Sequence, residues 1–308
     1  MKTLTAILAL LRPHMLPSVL ANASVVVLLM RPGSDLPWEA LVPAWIAAAG
    51  IYVFGVAGAV LVDAKRDRQR PPDERTNPIV AGDLADWVVG LMALAGAAAA
   101  AGAALGFQDA LEPITALAAL GLTAILLAGA RRWPPSRLVL TALVQAAVAA
   151  MGLTGEAVLQ WWAVPGILAA HALIVEAFAY AWEGRRPPLY GNNWFHLLMA
   201  VGIVLIVLTA VGQRRPVQWW PADEGLTVVG VTWGLFAVVF ALIFRRVSKA
   251  HRGPVLRIAG AGWMILLDLA FVTTVGPDEA TGIFLVLLAA IPGSMWLLGK
   301  VGAAARRA

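Results

Sequence analysis

Ten apolar runs, most of them near twenty residues, divide this chain from one end to the other. They are Leu16–Met30, Trp38–Val62, Leu84–Gly106, Leu111–Ala130, Leu138–Gly155, Trp161–Ala181, Trp194–Gly212, Leu226–Phe244, Ile258–Gly276 and Ile283–Val301. A helix needs about 20 mostly apolar residues to cross ~30 Å of hydrocarbon. Backbone polar groups in lipid must be satisfied internally, so such runs form helices. The first and fifth runs are short. The expectation is an all-α, polytopic transmembrane helical bundle of nine or ten spans. Residues 1–308 then form a single integral-membrane domain, with 1–15 an amphipathic leading helix and about ten spans between 16 and 302.

Composition closes the alternatives. The chain has 308 residues, of which 60% are hydrophobic and 13% charged. Soluble domains carry roughly 25% charge. So few charges cannot cover a globular surface, which excludes soluble enzymes, disordered chains and secreted scaffolds. Outer-membrane barrels alternate apolar and polar residues along each strand, and these runs do not. The absence of cysteine removes disulfides, thiol catalysis and Cys-ligated metals. Lys2, Leu4–Leu11 and Ala21-Asn22-Ala23 imitate a signal peptide. Arg12, Pro13 and His14 interrupt the apolar stretch, which favours the leading helix.

The charge pattern gives orientation. With ten spans, 20 of the 23 basic residues fall on the side of both termini; only Arg31, Arg214 and Arg215 fall opposite. The positive-inside rule then places both termini and the 63–83 loop on the cytoplasmic side of an inner (cytoplasmic) membrane. The net charge of +5 lies in short clusters between spans rather than on one soluble face. Membrane lipids are therefore the expected environment, and nucleic acid is not a partner. Nine tryptophans (Trp38, Trp87, Trp133, Trp161, Trp162, Trp182, Trp194, Trp219 and Trp220) stand at expected span ends, as an interfacial aromatic belt does.

The most polar stretch is Asp63-Ala-Lys-Arg-Asp67-Arg-Gln-Arg-Pro-Pro-Asp73-Glu-Arg75-Thr-Asn77-Pro78. Asp63 and Asp67 are four apart and share one helix face. Two carboxylates one turn apart repel unless a cation lies between them. Mg²⁺ suits one or two carboxylates completed by waters and phosphate oxygens. Lys65, Arg66, Arg68, Arg70 and Arg75 surround the pair with positive charge. The same residues also describe a solvated loop whose arginines only set topology.

This block resembles the first Asp-rich motif of the UbiA superfamily of membrane-embedded prenyltransferases, Asn-x-x-x-Asp-x-x-x-Asp followed by an Arg-Pro-rich stretch. Asp63 and Asp67 fall on its two Asp positions, and Ala59 stands where the family has Asn. Arg75-Thr-Asn-Pro-Ile-Val-Ala-Gly82 is similar to the family's Arg-Pro-Ile-Pro-Ser-Gly segment, and Leu11-Arg12-Pro13-His14 to its opening motif. Arg131 and Arg132 fall where the family has a basic pair that contacts diphosphate. The second Asp-rich motif is degenerate: Ala181-Trp182-Glu183-Gly184-Arg185 keeps only Glu183 and Gly184. Arg257 leads into Ala259-Gly-Ala-Gly-Trp-Met-Ile-Leu-Leu-Asp268-Leu-Ala270. That segment resembles the superfamily's EboC-like members, which are linked to moving a precursor across a membrane.

The resemblance implies spans around a central cavity, with Mg²⁺ on Asp63 and Asp67 as the catalytic metal pair. It also implies an isoprenoid diphosphate held by Lys65, Arg75, Arg131, Arg132 and Arg185. Asn22, Gln145, Glu176, Tyr180 and Glu183 are candidate cavity residues. Asn22 and Gln145 also suit interhelical hydrogen bonding. Glu176 and Asp268 are acids inside spans, which are costly there and functional by default. Tyr180 and Trp182 are candidates to face an allylic cation. Two activities follow: transfer of an isoprenoid to an aromatic or similar lipophilic acceptor, or non-catalytic carriage of a precursor by an EboC-type protein. No His-Glu-x-x-His or Gly-x-Ser-x-Gly occurs. The four histidines make no metal spacing, and the Asp-Gly-x-x-Ala-Arg of CDP-alcohol phosphotransferases is missing.

Overall fold

The computed structural model describes residues 2–31, 35–69, 71, 77–107, 111–129, 133–153, 163–184, 188–213, 223–273 and 279–307. Among these the regular elements are eleven α-helices and one short 3₁₀ turn, with no strand. The helices are α1 (Lys2–Leu11), α2 (Leu16–Met30), α3 (Trp38–Asp67), α4 (Asp86–Ala104), α5 (Leu111–Ala128) and α6 (Pro134–Ala149, running into the turn Ala150–Gly152). After them come α7 (Ala163–Trp182), α8 (Gly191–Gln213), α9 (Asp223–Arg246), α10 (Lys249–Val272) and α11 (Ala280–Arg307).

A helix occupies each of the ten expected spans, but the helices are not equivalent. Seven (α3, α4, α6 with its 3₁₀ turn, α7, α9, α10 and α11) are long and apolar enough to cross a membrane unaided. α2 reaches that length only together with α1, across a bend of 41°. α5 is a shorter apolar helix over Glu112–Ala128. Two helices extend beyond their apolar runs into charged sequence. α3 continues past Val62 to Asp67, and α10 begins well before Ile258, at Lys249. Both extensions carry the charged side chains considered below.

α2 is the central post. It is buried from Ala21 through Leu29 and packs against α3, α6, α10 and α11. The packing pairs close two four-helix rings that share the α2–α6 edge: α2–α3–α5–α6 and α2–α6–α7–α10. α4 covers α3 and α5, α8 covers α6 and α7, and α9 and α11 flank α10. The shared edge is tied by Asn22, whose Nδ2 donates to both Oε1 and the backbone carbonyl of Gln145 at 2.9 Å. Ser24 on the same helix accepts from Trp45 Nε1 at 2.7 Å, tying α2 to α3.

α1 lies along the second half of α3. Ile7 and Leu10 pack with Ala57, Ala64, Ile79 and Leu84. The Tyr52 hydroxyl reaches the carbonyls of Leu11 and Arg12 at 2.8 and 3.1 Å, holding the elbow between α1 and α2. Successive helices reverse direction. The ends of α3 and α7 and the start of α10 therefore come to the same end of the bundle, where the acids of interest lie.

Candidate functional site

At the end of α3, Asp63 and Asp67 differ in surroundings although they share a face. Asp67 is only 5% exposed. Its Oδ2 accepts the backbone N–H of Asn77 at 2.9 Å. The Asn77 side chain then donates through Nδ2 to the Val60 carbonyl at 2.7 Å and accepts from the Ile79 N–H at 3.0 Å. Three bonds thus fold the 77–84 turn back on the helix that it follows. A carboxylate has about four acceptor positions, and the Asn77 N–H takes one of those of Asp67. Asp63, one turn earlier, is half-buried, while Lys65, Arg66 and Arg68 are exposed around it. Arg68 pairs with Asp86 at 3.3 Å, both side chains more than half exposed, so the pair adds little to stability.

The residues at this end fit one divalent ion of the magnesium type. Mg²⁺ takes one or two protein carboxylates and fills its remaining positions with water or phosphate oxygens. They do not form a protein cage: among the described residues no group of three His, Asp or Glu side chains is placed to hold a metal. Arg75, Arg131, Arg132 and Arg185, the expected diphosphate ligands, lie outside the described residues, as do Arg70, Trp161, Trp162, Trp219 and Trp220.

At the end of α7 the expected cavity acids are already engaged. Arg257, from α10, donates through Nε to both oxygens of Glu176 at 3.0 and 3.1 Å. Its Nη1 donates to Glu183 Oε1. Glu176 keeps 26% of its side chain exposed and Glu183 14%. Gly184, at φ +61°, ends α7 in the left-handed region that glycine adopts without strain. Deeper along the same seam, His171 Nε2 lies 3.2 Å from the Gly260 carbonyl. A carbonyl only accepts, so the ring proton is on Nε2.

The other candidates differ in their surroundings. Asn22 is fully buried and its Nδ2 bonds Gln145, joining the two helices, while its Oδ1 has no hydrogen-bond partner among the described residues. Tyr180 is buried with Leu138, Ala142 and Leu197. Trp182 and Trp194 are not simple belt residues. Phe178 packs against both, with ring centroids 6.0 and 5.1 Å away, and Phe240 stacks on Trp182 at 4.9 Å. The cause is an aromatic stripe on α9, Phe236-x-x-x-Phe240-x-x-x-Phe244, whose four-residue spacing is visible in the sequence. Trp38, Trp87 and Trp133 are more than half exposed, as belt residues are. Asp268 is fully buried, and neither of its oxygens has a hydrogen-bond partner among the described residues.

Two residues that organise this end have no role assigned from sequence. Asn77 appears there only as one residue of the Arg75–Gly82 segment. Arg257 reads as a topology charge, though Gly253-x-x-x-Arg257-x-x-Gly260 has the spacing of a close helix seam.

No family model matches the chain, and no curated protein matches it in sequence. Solved structures do match in fold. A UbiA homolog from Aeropyrum pernix K1 is 14% identical, with a TM-score of 0.58 over 82% of this chain and 95% of that one. A UbiA homolog from Archaeoglobus fulgidus is 15% identical, with a TM-score of 0.60 over 92% of this chain and 99% of that one. A structure of a UbiA homolog from Archaeoglobus fulgidus bound to GPP and Mg²⁺ gives 15% identity and a TM-score of 0.56, over 87% of this chain and 99% of the other. The chain is therefore an all-helical membrane protein with the fold of the UbiA homologs.

Proposed function

We propose that this protein is an intramembrane prenyltransferase that moves an isoprenoid from its diphosphate to an aromatic or similar lipophilic acceptor. The observation that carries this reading is the Asp63–Asp67 pair on the end of α3, ringed by Lys65, Arg66 and Arg68, in a fold whose Archaeoglobus representative binds GPP and Mg²⁺. Asp63 and Asp67 would hold the metal, which when bound neutralises diphosphate charge. The chain's own part is to hold the leaving group and exclude water. Lys65, with Arg75, Arg131, Arg132 and Arg185, supplies counter-charge to the departing diphosphate. The isoprenoid tail lies among the helices. The carbon–oxygen bond ionises, the electron pair leaves with diphosphate, and the acceptor attacks the allylic carbon and then loses a proton. The distribution of basic residues supports a cytoplasmic 63–83 loop and cytoplasmic termini in an inner membrane.

A second reading is an EboC-type carrier that presents or moves a precursor without chemistry. The ion cluster on α7 favours it, because both carboxylates of that end are already paired with Arg257. One assay separates the two. The purified protein, given geranyl or longer isoprenoid diphosphates with an aromatic acceptor and Mg²⁺, releases diphosphate if it is an enzyme. Asp63→Asn then lowers the rate about 10²-fold or more, the cost of removing one charge-stabilising group. Absence of release from the wild type with every donor tried removes the enzyme reading and leaves the carrier.

A further inference from the structure

Glu176 lies on α7, and Glu183, seven residues later, follows its last residue, Trp182. Both carboxylates converge on a single guanidinium. Nε of Arg257 serves Glu176 and Nη1 serves Glu183.

The guanidinium is set in place by backbone contact on either side of it. A Cβ on Gly253 would lie 2.4 Å from Glu183 Cγ and 2.9 Å from the Ala179 carbonyl. A Cβ on Gly260 would lie 2.6 Å from Val175 Cγ1. α10 is therefore pressed onto α7 both before and after Arg257, and the side chain, only 12% exposed, has little room to leave. Two carboxylates this close repel, and a shared cation relieves the repulsion. That cation is either an exchangeable ion or a residue. A guanidinium stays charged at every accessible pH, and its forked donors match two carboxylates at once.

We infer that Arg257 is a tethered counter-cation standing where a divalent ion would otherwise bind between Glu176 and Glu183. The α7 end is thereby closed to metal, and a metal–diphosphate is held from the α3 end alone. The second clause rests on the reading of Asp63 and Asp67 given above; the first does not. The consequence is a gain of function: removing the guanidinium leaves two adjacent carboxylates, the ligand set of a hard oxygen-seeking cation.

The test counts Mn²⁺ bound to the purified full chain in the presence of inorganic pyrophosphate, from the electron paramagnetic resonance of the ion left free. Wild type should bind one ion and Arg257→Met two. Arg257→Met combined with Glu183→Gln should return to one. Arg257→Gln, which keeps hydrogen-bond donors without charge, replaces the Met variant if that one does not elute as a folded, monodisperse species. Two ions on the wild type would overturn the inference. So would a folded Arg257→Met or Arg257→Gln protein that binds no more than wild type, or a second ion that survives Glu183→Gln. If wild type binds none while Arg257→Met binds one, the α3 reading falls and the assignment of Arg257 stands.

Discussion

The ends of α3 and α7 carry the same kind of chemistry and satisfy it in opposite ways. Each presents two acids at one end of the bundle. On α3, Asp67 is bonded by a neighbour ten residues along the chain, the Asn77 N–H. That donor is neutral, so this bond does not itself offset the charge of the carboxylate. On α7, Glu176 and Glu183 are bonded by Arg257, 81 and 74 residues away. That contact is ionic, with one guanidinium shared by two carboxylates. A short-range dipole shapes the α3 end, whereas a long-range charge ties the α7 end to α10. On the function proposed above, the α3 end recruits charged ligand, while the α7 end joins two helices.

The largest effect expected from breaking this contrast is at Arg257. Arg257→Ala removes the shared guanidinium from two mostly buried carboxylates. Removing one member of a buried pair costs about 3–5 kcal/mol, and the partial exposure of Glu176 places this case at the lower end. Unfolding in mixed detergent measures it. A loss under about 1 kcal/mol would mean that solvent already screens the cluster and that α7 is not locked by it.

Next in size is a paired change at Asp67. Asp67→Ala removes the acceptor of the Asn77 N–H and should cost about 1–2 kcal/mol, as losing a buried hydrogen bond does. Asp67→Asn keeps an acceptor oxygen and loses only charge. It should fold with near wild-type stability yet lose pyrophosphate-dependent Mn²⁺ binding. Equal metal affinity in Asp67→Asn and wild type would show that Asp67 serves the turn alone and that Asp63 carries the ion.

These differences explain what is legible in the sequence and what is not. The helices are legible because a membrane demands long apolar runs; α2 begins and ends where its run does, at Leu16 and Met30. The α3 acids are legible because i and i+4 spacing is local geometry. Arg257 is not, because its meaning depends on which helix lies beside α10, and a tally of basic residues treats all loops alike. Trp182 escapes for a similar reason. Its position at a span end is local, whereas the Phe240 ring on which it stacks lies two helices later.

Asp268 offers a smaller effect of opposite sign. It is buried without a hydrogen-bond partner among the described residues, so it opposes folding unless it has another task. Asp268→Leu should raise stability by about 1 kcal/mol, since apolar replacement of an unsatisfied buried polar group relieves its desolvation cost. A protein made more stable but inactive would locate function at that depth of α10. One that keeps full activity would assign Asp268 no role in either acidic end.

The smallest effect concerns the edge that joins the two rings. Asn22 makes two bonds to Gln145, one to the side chain and one to the backbone carbonyl. Gln145→Ala removes the first and leaves the second, while Asn22→Ala removes both. Interhelical hydrogen bonds in membranes average about 0.6 kcal/mol, so a double-mutant cycle should return a coupling of that order, with Asn22→Ala the costlier single change. The cycle also asks whether the two ends are mechanically independent. If Asn22→Ala alters Mn²⁺ binding at the α3 end as well as stability, the shared edge transmits strain between the rings. If only stability changes, each end is set by its own partners, Asn77 on one side and Arg257 on the other.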